Sequence, residues 1–523
     1  MFPSRFLHVS FMFPSRFLYG PFAKITYSSD GAEVGPVPYW SGIINGKGRH
    51  ASVPYVNSEL SVFEVSPGSV YRFRLIGAQS LYAYRFSIDR HKLTVIATDG
   101  QYIRPVEVDF ILIHSGERYD FLLQTENNTS QFNYLIRAVT LEVNDEENKN
   151  ITEAILHYNT DSSTYPTATE YESIARSSQS DHVRCTEASN CTALNCPFLV
   201  YPQSHHISCE HIHNLRLLFP VSDSDLPTNG AKGRTSLFFN FGFEGISQTS
   251  AINARNLKLP SSPPALYETP ENLYEETCKN LDTDWQCNQI ASIPDSNCYC
   301  SHVVNVSSDH TIQLVISATG PNTTQLGNFL FAHPVHLHGH YFQVADIQFG
   351  RTDSMTGRLE EGSSDVQCGG DLLCTNPSWS TNTYDSFDLD SSAPLKDTLL
   401  IPAGGYAVVY FKSDNPGWWF LHCHIEVHQL EGMGLIINEG GKKTPAPYTM
   451  QKCGNFDFTV DEYKKAIEGK LNPSDVDGYK IATIVLGSVL GTILVIVLLV
   501  LFILFCIRCI HYIKKHRAEF FQT

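Results

Sequence analysis

Positive charge is scarce in this 523-residue chain: 37 lysines and arginines stand against 54 aspartates and glutamates, a net charge of −17. That balance excludes nucleic acid as a partner, because holding a phosphate backbone takes a basic face. Helical periodicity is missing between about residues 36 and 160, which excludes a helical bundle there. An export signal is missing at the N-terminus. Residues 1–7 and 12–18 repeat MFPSRFL, so Pro and Arg interrupt every apolar stretch, and we expect a further N-terminal segment to carry the signal. Paired histidines are also missing before residue 205, where histidines such as His50, His91, His114 and His157 stand alone.

What is present favours strands. Aromatics make up 12% of the chain, with 34 Gly and 27 Pro, a composition suited to many strands and turns. Residues alternate at Val70–Leu75, Tyr84–Ile88 and Leu93–Ile96, separated by turn residues such as Asp99-Gly100 and Ser115-Gly116. Strand patterns resume at Leu237–Phe241, Thr311–Ile316 and Tyr406–Phe411. The length suits two or three domains. The expected plan is all-β: a remnant at 1–35, a Greek-key sandwich over 36–160, a Cys-rich connector over 161–232, a second sandwich over 233–450, and a polar stalk over 451–479.

A membrane helix over 480–507 and a tail over 508–523 complete the plan. Ile481 to Ile507 is an uncharged, mostly aliphatic run of 27 residues, about 40 Å as a helix and enough to cross a bilayer with tilt. A buried core helix would show the same run, but the polar face such a helix usually keeps is absent. Arg508, Lys514, Lys515 and Arg517 follow the run, which predicts a cytoplasmic C-terminus and an extracellular ectodomain at the plasma membrane. Cys506 and Cys509 end the run as palmitoylation candidates. Sequons at Asn127, Asn128, Asn150, Asn190, Asn305 and Asn322 agree with an exported ectodomain. So do Cys185, Cys191, Cys196, Cys209, Cys278, Cys287, Cys298, Cys300, Cys368, Cys374 and Cys453, which read as a disulfide framework of odd count.

Two histidine clusters carry the chemistry: His333-Pro-Val-His336-Leu-His338-Gly-His340, and His422-Cys423-His424-Ile-Glu426-Val-His428 followed by Met433. On a strand, His336 and His338 share a face, whereas Cys423 points away from His422 and His424. One tripeptide can therefore serve two metal sites on opposite faces. A His-His-Cys set with a weak axial Met is the blue-copper arrangement; a lone Cys/His cluster also suits tetrahedral zinc.

On these motifs the chain resembles the multicopper oxidases, of the laccase type found in animals, over roughly residues 36–450. The resemblance implies cupredoxin-like domains and copper. His333, Cys423 and His428 would hold the type 1 copper with Met433 axial, His336 the type 2 copper, and His338, His422 and His424 the type 3 pair. It further implies one-electron oxidation of a phenol, catechol or metal ion. Electrons would pass from Cys423 to His422 and His424, and dioxygen would be reduced to water. Glu426 falls where the family has a proton-relaying carboxylate, or is a solvated glutamate. Asp99 falls where fungal laccases bind the phenol, or simply turns the chain before Gly100. A ferroxidase is the alternative activity, although the segment 328–332 before His333 lacks the acid that fungal membrane ferroxidases place there. His340 matches no ligand position and reads as structural; His205, His206, His211 and His213 read as an adventitious surface cluster. The family's first domain supplies a His-Trp-His and a separate His-x-His element, and no such pair occurs in this chain before residue 205. The trinuclear site is therefore expected to be incomplete here, and a copper-binding product without turnover is the third reading. Oligomeric state stays open.

Overall fold

The computed structural model describes residues 42–48, 59–127, 132–140, 151–160, 185–222, 225–227, 232–244, 249–253, 255–257, 299–319, 332–355, 359–367 and 389–440, with short strands at 4–10, 26–27, 33–34 and 378–379. The expected membrane span, stalk and tail lie outside the described residues, as do Asn128, Asn150, Asn322 and most of the cysteines after Cys209. Among the described residues no helix is long and apolar enough to cross a membrane.

Alternation becomes sheet where one face can be buried. In Val70–Ala78, Tyr71, Phe73 and Leu75 are buried while Arg72 and Arg74 stay partly exposed, the period-2 signature of a strand covered on one side. This strand pairs antiparallel with Arg118–Gln124, which pairs with Leu93–Thr98, which pairs with Gln101–Val108. A facing sheet contains Phe110–Ile113, Tyr84–Ile88, Asn133–Thr140, Ile151–Tyr158 and Val62–Val65. Phenyl rings bridge the two layers: Phe73 stacks on Phe121 at 5.2 Å, and Phe86 meets Phe121 at 5.8 Å. Each such ring contributes roughly 1.5–3 kcal/mol by leaving water.

Part of the stretch read as a connector is sheet. Cys191–Leu194 pairs parallel with Phe110–Ile113, and Ile207–Glu210 extends that edge. Disulfides Cys185–Cys191 and Cys196–Cys209 clip the segment.

The second sandwich has one sheet containing Gly233–Glu244, His310–Ser317, Tyr406–Lys412 and Phe342–Gln348. Its other sheet runs Val303–Val306, Gly434–Glu439, Gly417–Cys423, His333–Leu337 and Thr398–Ile401. The His333–Leu337 strand thus lies between Gly417–Cys423 and Thr398–Ile401, with Val335 opposite Cys423 and His336 opposite His422. Antiparallel pairing of these two strands brings both histidine motifs together.

A buried ionic cluster joins the sandwiches. Lys396, from the second, lies 3.2 Å from Asp99 and 3.5 Å from Glu117 of the first, all three side chains fully buried. Asp99 therefore has a different position from the one expected of a phenol ligand. It is the first residue of a two-residue hairpin between Thr98 and Gln101, with φ of 47° followed by Gly100 at 84°, as an Asp-Gly turn of type I′ requires. Its oxygens accept the backbone N–H groups of Arg118, Asp397 and Thr398 at 3.1, 3.2 and 3.1 Å. Nothing of Asp99 is left to face a substrate.

Candidate metal centre

Cys423 ends the Gly417–Cys423 strand, His333 opens the His333–Leu337 strand, and His428 lies on the short helix Glu426–Glu431. The Cys423 Sγ stands 3.6 Å from Nδ1 of His333 and 3.6 Å from Nδ1 of His428. A sulfur at about 2.3 Å and an imidazole nitrogen at about 2.0 Å from one ion are roughly 3.6 Å apart in trigonal or tetrahedral geometry, so the trio fits a single metal ion. Among the described residues this is the one group of His, Cys and carboxylate side chains whose ligand atoms converge so closely. Met433 is fully buried behind a turn that the backbone closes: Cys423 N–H donates to Met433 O at 3.0 Å, and Met433 N–H donates to His428 O at 2.9 Å. A thiolate and two imidazoles, with a buried methionine on the adjoining turn, form a donor set suited to copper.

Burial sets the protonation of this site. It lowers His428 to about 3 and His333 well below its ordinary value, so both imidazoles are neutral and ready to bind. It also raises the Cys423 thiol; a bound cation would offset that by taking up the thiolate.

The opposite face of the same tripeptide gathers four imidazoles. Ring centroids of His336 lie 4.6 Å from His338, 5.7 Å from His422 and 6.0 Å from His424, and His422 is 5.5 Å from His424. His422 stacks on Phe420 at 4.3 Å, which holds its ring plane. Carbonyl oxygens only accept, so His336 Nδ1–H donates to Asp397 O at 2.8 Å and His422 Nδ1–H donates to Cys423 O at 2.9 Å. Each ring therefore keeps a bare Nε2 for a metal. The Nε2 atoms of His338 and His422 face one another at 3.3 Å, a separation that two nitrogens on one ion would show.

The other expected site residues fall as follows. Glu426 is exposed in the first turn of its helix, its N–H donating to Ser80 O at 2.8 Å. His340 bonds Glu439 at 2.6 Å, the carboxylate fully buried, and is structural. His211 is buried and donates to Leu199 O at 3.1 Å, so it does not belong to a surface cluster. Reading the sequence missed Ser115, Arg118 and Asp397, which reach the imidazole cluster through space. Ser115 had been visible only as a turn residue, and Asp397 carried no local signal.

Two family models, both described as multicopper oxidase, match residues 24–161 and 269–442. Laccase-1 of Trametes villosa is 26% identical over 76% of this chain and 58% of its own length. L-ascorbate oxidase of Brassica rapa subsp. pekinensis is 27% identical over 72% of this chain and 56% of its own. The chain thus spans less than three-fifths of either relative. A laccase from Botrytis aclada superposes with a TM-score of 0.51 at 22% identity, over 90% of this chain and 68% of that one, and shows the same mostly-β, cupredoxin-like fold. Both copper motifs and both family models agree, and the chain belongs to the multicopper oxidase family.

Proposed function

We propose that this chain is the copper-holding part of a laccase-like oxidase that takes single electrons from phenols or catechols and passes them to dioxygen. The observation that carries the reading is the two-faced segment 422–424. Cys423 completes the buried trio with His333 and His428 on one side, while His422 joins His336, His338 and His424 on the other. Copper bound at the trio supplies one-electron redox chemistry. The chain's own groups do the rest: burial of His333, His428 and Met433 excludes water, and Cys423 O accepts the His422 proton at 2.9 Å. The thiol-bearing residue and the neighbouring imidazole are thereby linked twice, by backbone and by hydrogen bond.

Copper titration tests the reading. One ion per chain should give an intense blue absorption, and Cys423→Ser should abolish it; a colourless copper-loaded chain would sink the assignment. The chain has one histidine of the type 2 set and three of the type 3 set. This stretch alone should therefore accept one electron without sustained oxygen uptake, and four coppers with steady oxygen consumption would contradict that. In the whole oxidase, comparing ferrous iron with a catechol in steady state separates the laccase-like activity from a ferroxidase; the relatives named as laccases favour the former. We also propose a type I plasma-membrane topology. Sequon residues Asn127, Asn190 and Asn305 are exposed and the basic residues follow Ile481–Ile507. Glycosidase treatment of the cell-expressed protein should shift its mobility, and an unshifted, cytosol-facing ectodomain would refute the topology.

A further inference from the structure

Two of the four clustered imidazoles are held by the other sandwich. The turn between Phe110–Ile113 and Arg118–Gln124 carries His114, Ser115, Gly116 and Glu117, and its tip reaches His424. Ser115 Oγ lies 3.0 Å from His424 Nδ1. A hydroxyl can donate or accept, but the Ser115 proton is committed: it goes to the carbonyl oxygen of Gln79 in a short hydrogen bond. Ser115 Oγ can therefore only accept, and Nδ1 of His424 must carry the proton. Gly116, at φ +83°, lies against the same ring, where a Cβ would stand 2.7 Å from Cγ and 2.8 Å from Nε2. A side chain at this position would overlap the ring, so the glycine is what lets the turn close on His424.

The same turn reaches His336 one step further on. Arg118 donates to Gly116 O at 2.8 Å and grips Asp397 with two bonds of 2.6 and 2.5 Å. Asp397 in turn offers its backbone carbonyl to His336 Nδ1–H at 2.8 Å. From this geometry we infer that Ser115 is a positioning residue of the imidazole cluster. It fixes His424 in the Nδ1–H form, with Nε2 bare, and the Gly116–Arg118–Asp397 chain holds His336 in the matching orientation. The first sandwich then acts as the template on which the second presents its ligands. The inference rests on reading His336 and His424 as copper ligands.

The test uses the full chain, copper-free and labelled with ¹⁵N-histidine, at neutral pH. Long-range proton–nitrogen spectra report the tautomer of His424, its signal assigned by its loss in His424→Gln. The wild-type chain should show Nδ1–H. Ser115→Ala should bring in the Nε2–H form that free imidazole prefers, and Ser115→Thr, which keeps a hydroxyl, should retain Nδ1–H. On titration with copper, Ser115→Ala should bind the ions beyond the blue one about 10- to 100-fold more weakly, with the blue band unchanged. An unaltered tautomer in Ser115→Ala overturns the inference. So does Ser115→Thr behaving like Ser115→Ala, or loss of the blue band in step with the tautomer, which would mark Ser115 as a residue of the fold alone. Copper uptake beyond the blue ion that is unchanged in His424→Gln refutes His424 as a ligand, while the tautomer spectra still decide the role of Ser115.

Discussion

Met433 and Cys423 are joined by a backbone hydrogen bond of 3.0 Å, so the thioether is carried on the same rigid turn as the thiol. Axial ligand identity tunes a blue-copper potential, and removing a sulfur donor disfavours the oxidised ion. Met433→Leu should raise the potential and keep the colour; a redox titration showing it unchanged or lowered would mean that Met433 is not axial. Asp99 makes the opposite case, of a residue with functional looks and a structural task. Asp99→Ala leaves the buried Lys396 with Glu117 as its one carboxylate partner, beside the Thr98 hydroxyl, and strips three backbone N–H groups of their acceptor. Breaking a buried pair in this way costs about 3–5 kcal/mol, which chemical denaturation would read. An intact stability with slower reduction of the blue centre by a phenol would restore Asp99 as a substrate ligand.

At the scale of elements, the edge of the first sandwich depends on its clip. Cys191–Leu194 and Ile207–Glu210 are short and pair in parallel, the weaker kind of ladder. The Cys196–Cys209 bridge closes a span of 13 residues between them, a constraint worth roughly 3 kcal/mol through the unfolded state. Replacing both cysteines by alanine should lower the melting temperature and make the stretch 191–210 the first to be cut by protease. The blue site, on the other sandwich, should survive at ambient temperature. Protease resistance equal to the wild type would show that packing alone holds the edge.

For the whole molecule, buried neutral histidines set a pH limit. Burial lowers His211 to about 4 and His302, His422 and His428 to about 3. In the unfolded chain these imidazoles take up protons near 6.5, so between that pH and about 3 the unfolded state binds more protons than the folded one. Stability of the copper-free protein should fall as pH falls through that window, by up to about 1.4 kcal/mol per unit for each histidine. Asp99, whose carboxyl burial raises, works in the other direction, because the unfolded state loses that proton first. Melting temperatures measured across the window check the sum, and a flat profile would mean that the imidazoles are solvated. Copper should move the loss to lower pH by competing with protons for the same nitrogens, and a chelator should restore the copper-free curve.

How much of this was legible in the amino-acid order follows the range of the physics involved. His-x-His and His-Cys-His are strand-local patterns, and a side-chain period of two already separates Cys423 from His422 and His424. The alternation of Val70–Leu75 and the Asp99-Gly100 turn are equally local, since each expresses one residue's neighbours and backbone freedom. The roles of Ser115 and Asp99 had no such signature. Ser115 meets His424 across 309 positions of chain, and Asp99 meets Thr398 across 299. Those contacts exist because two sandwiches pack together and their buried polar groups must find partners there. Local order supplied the ligands and the strands that carry them; only packing decided which residues hold those ligands in place.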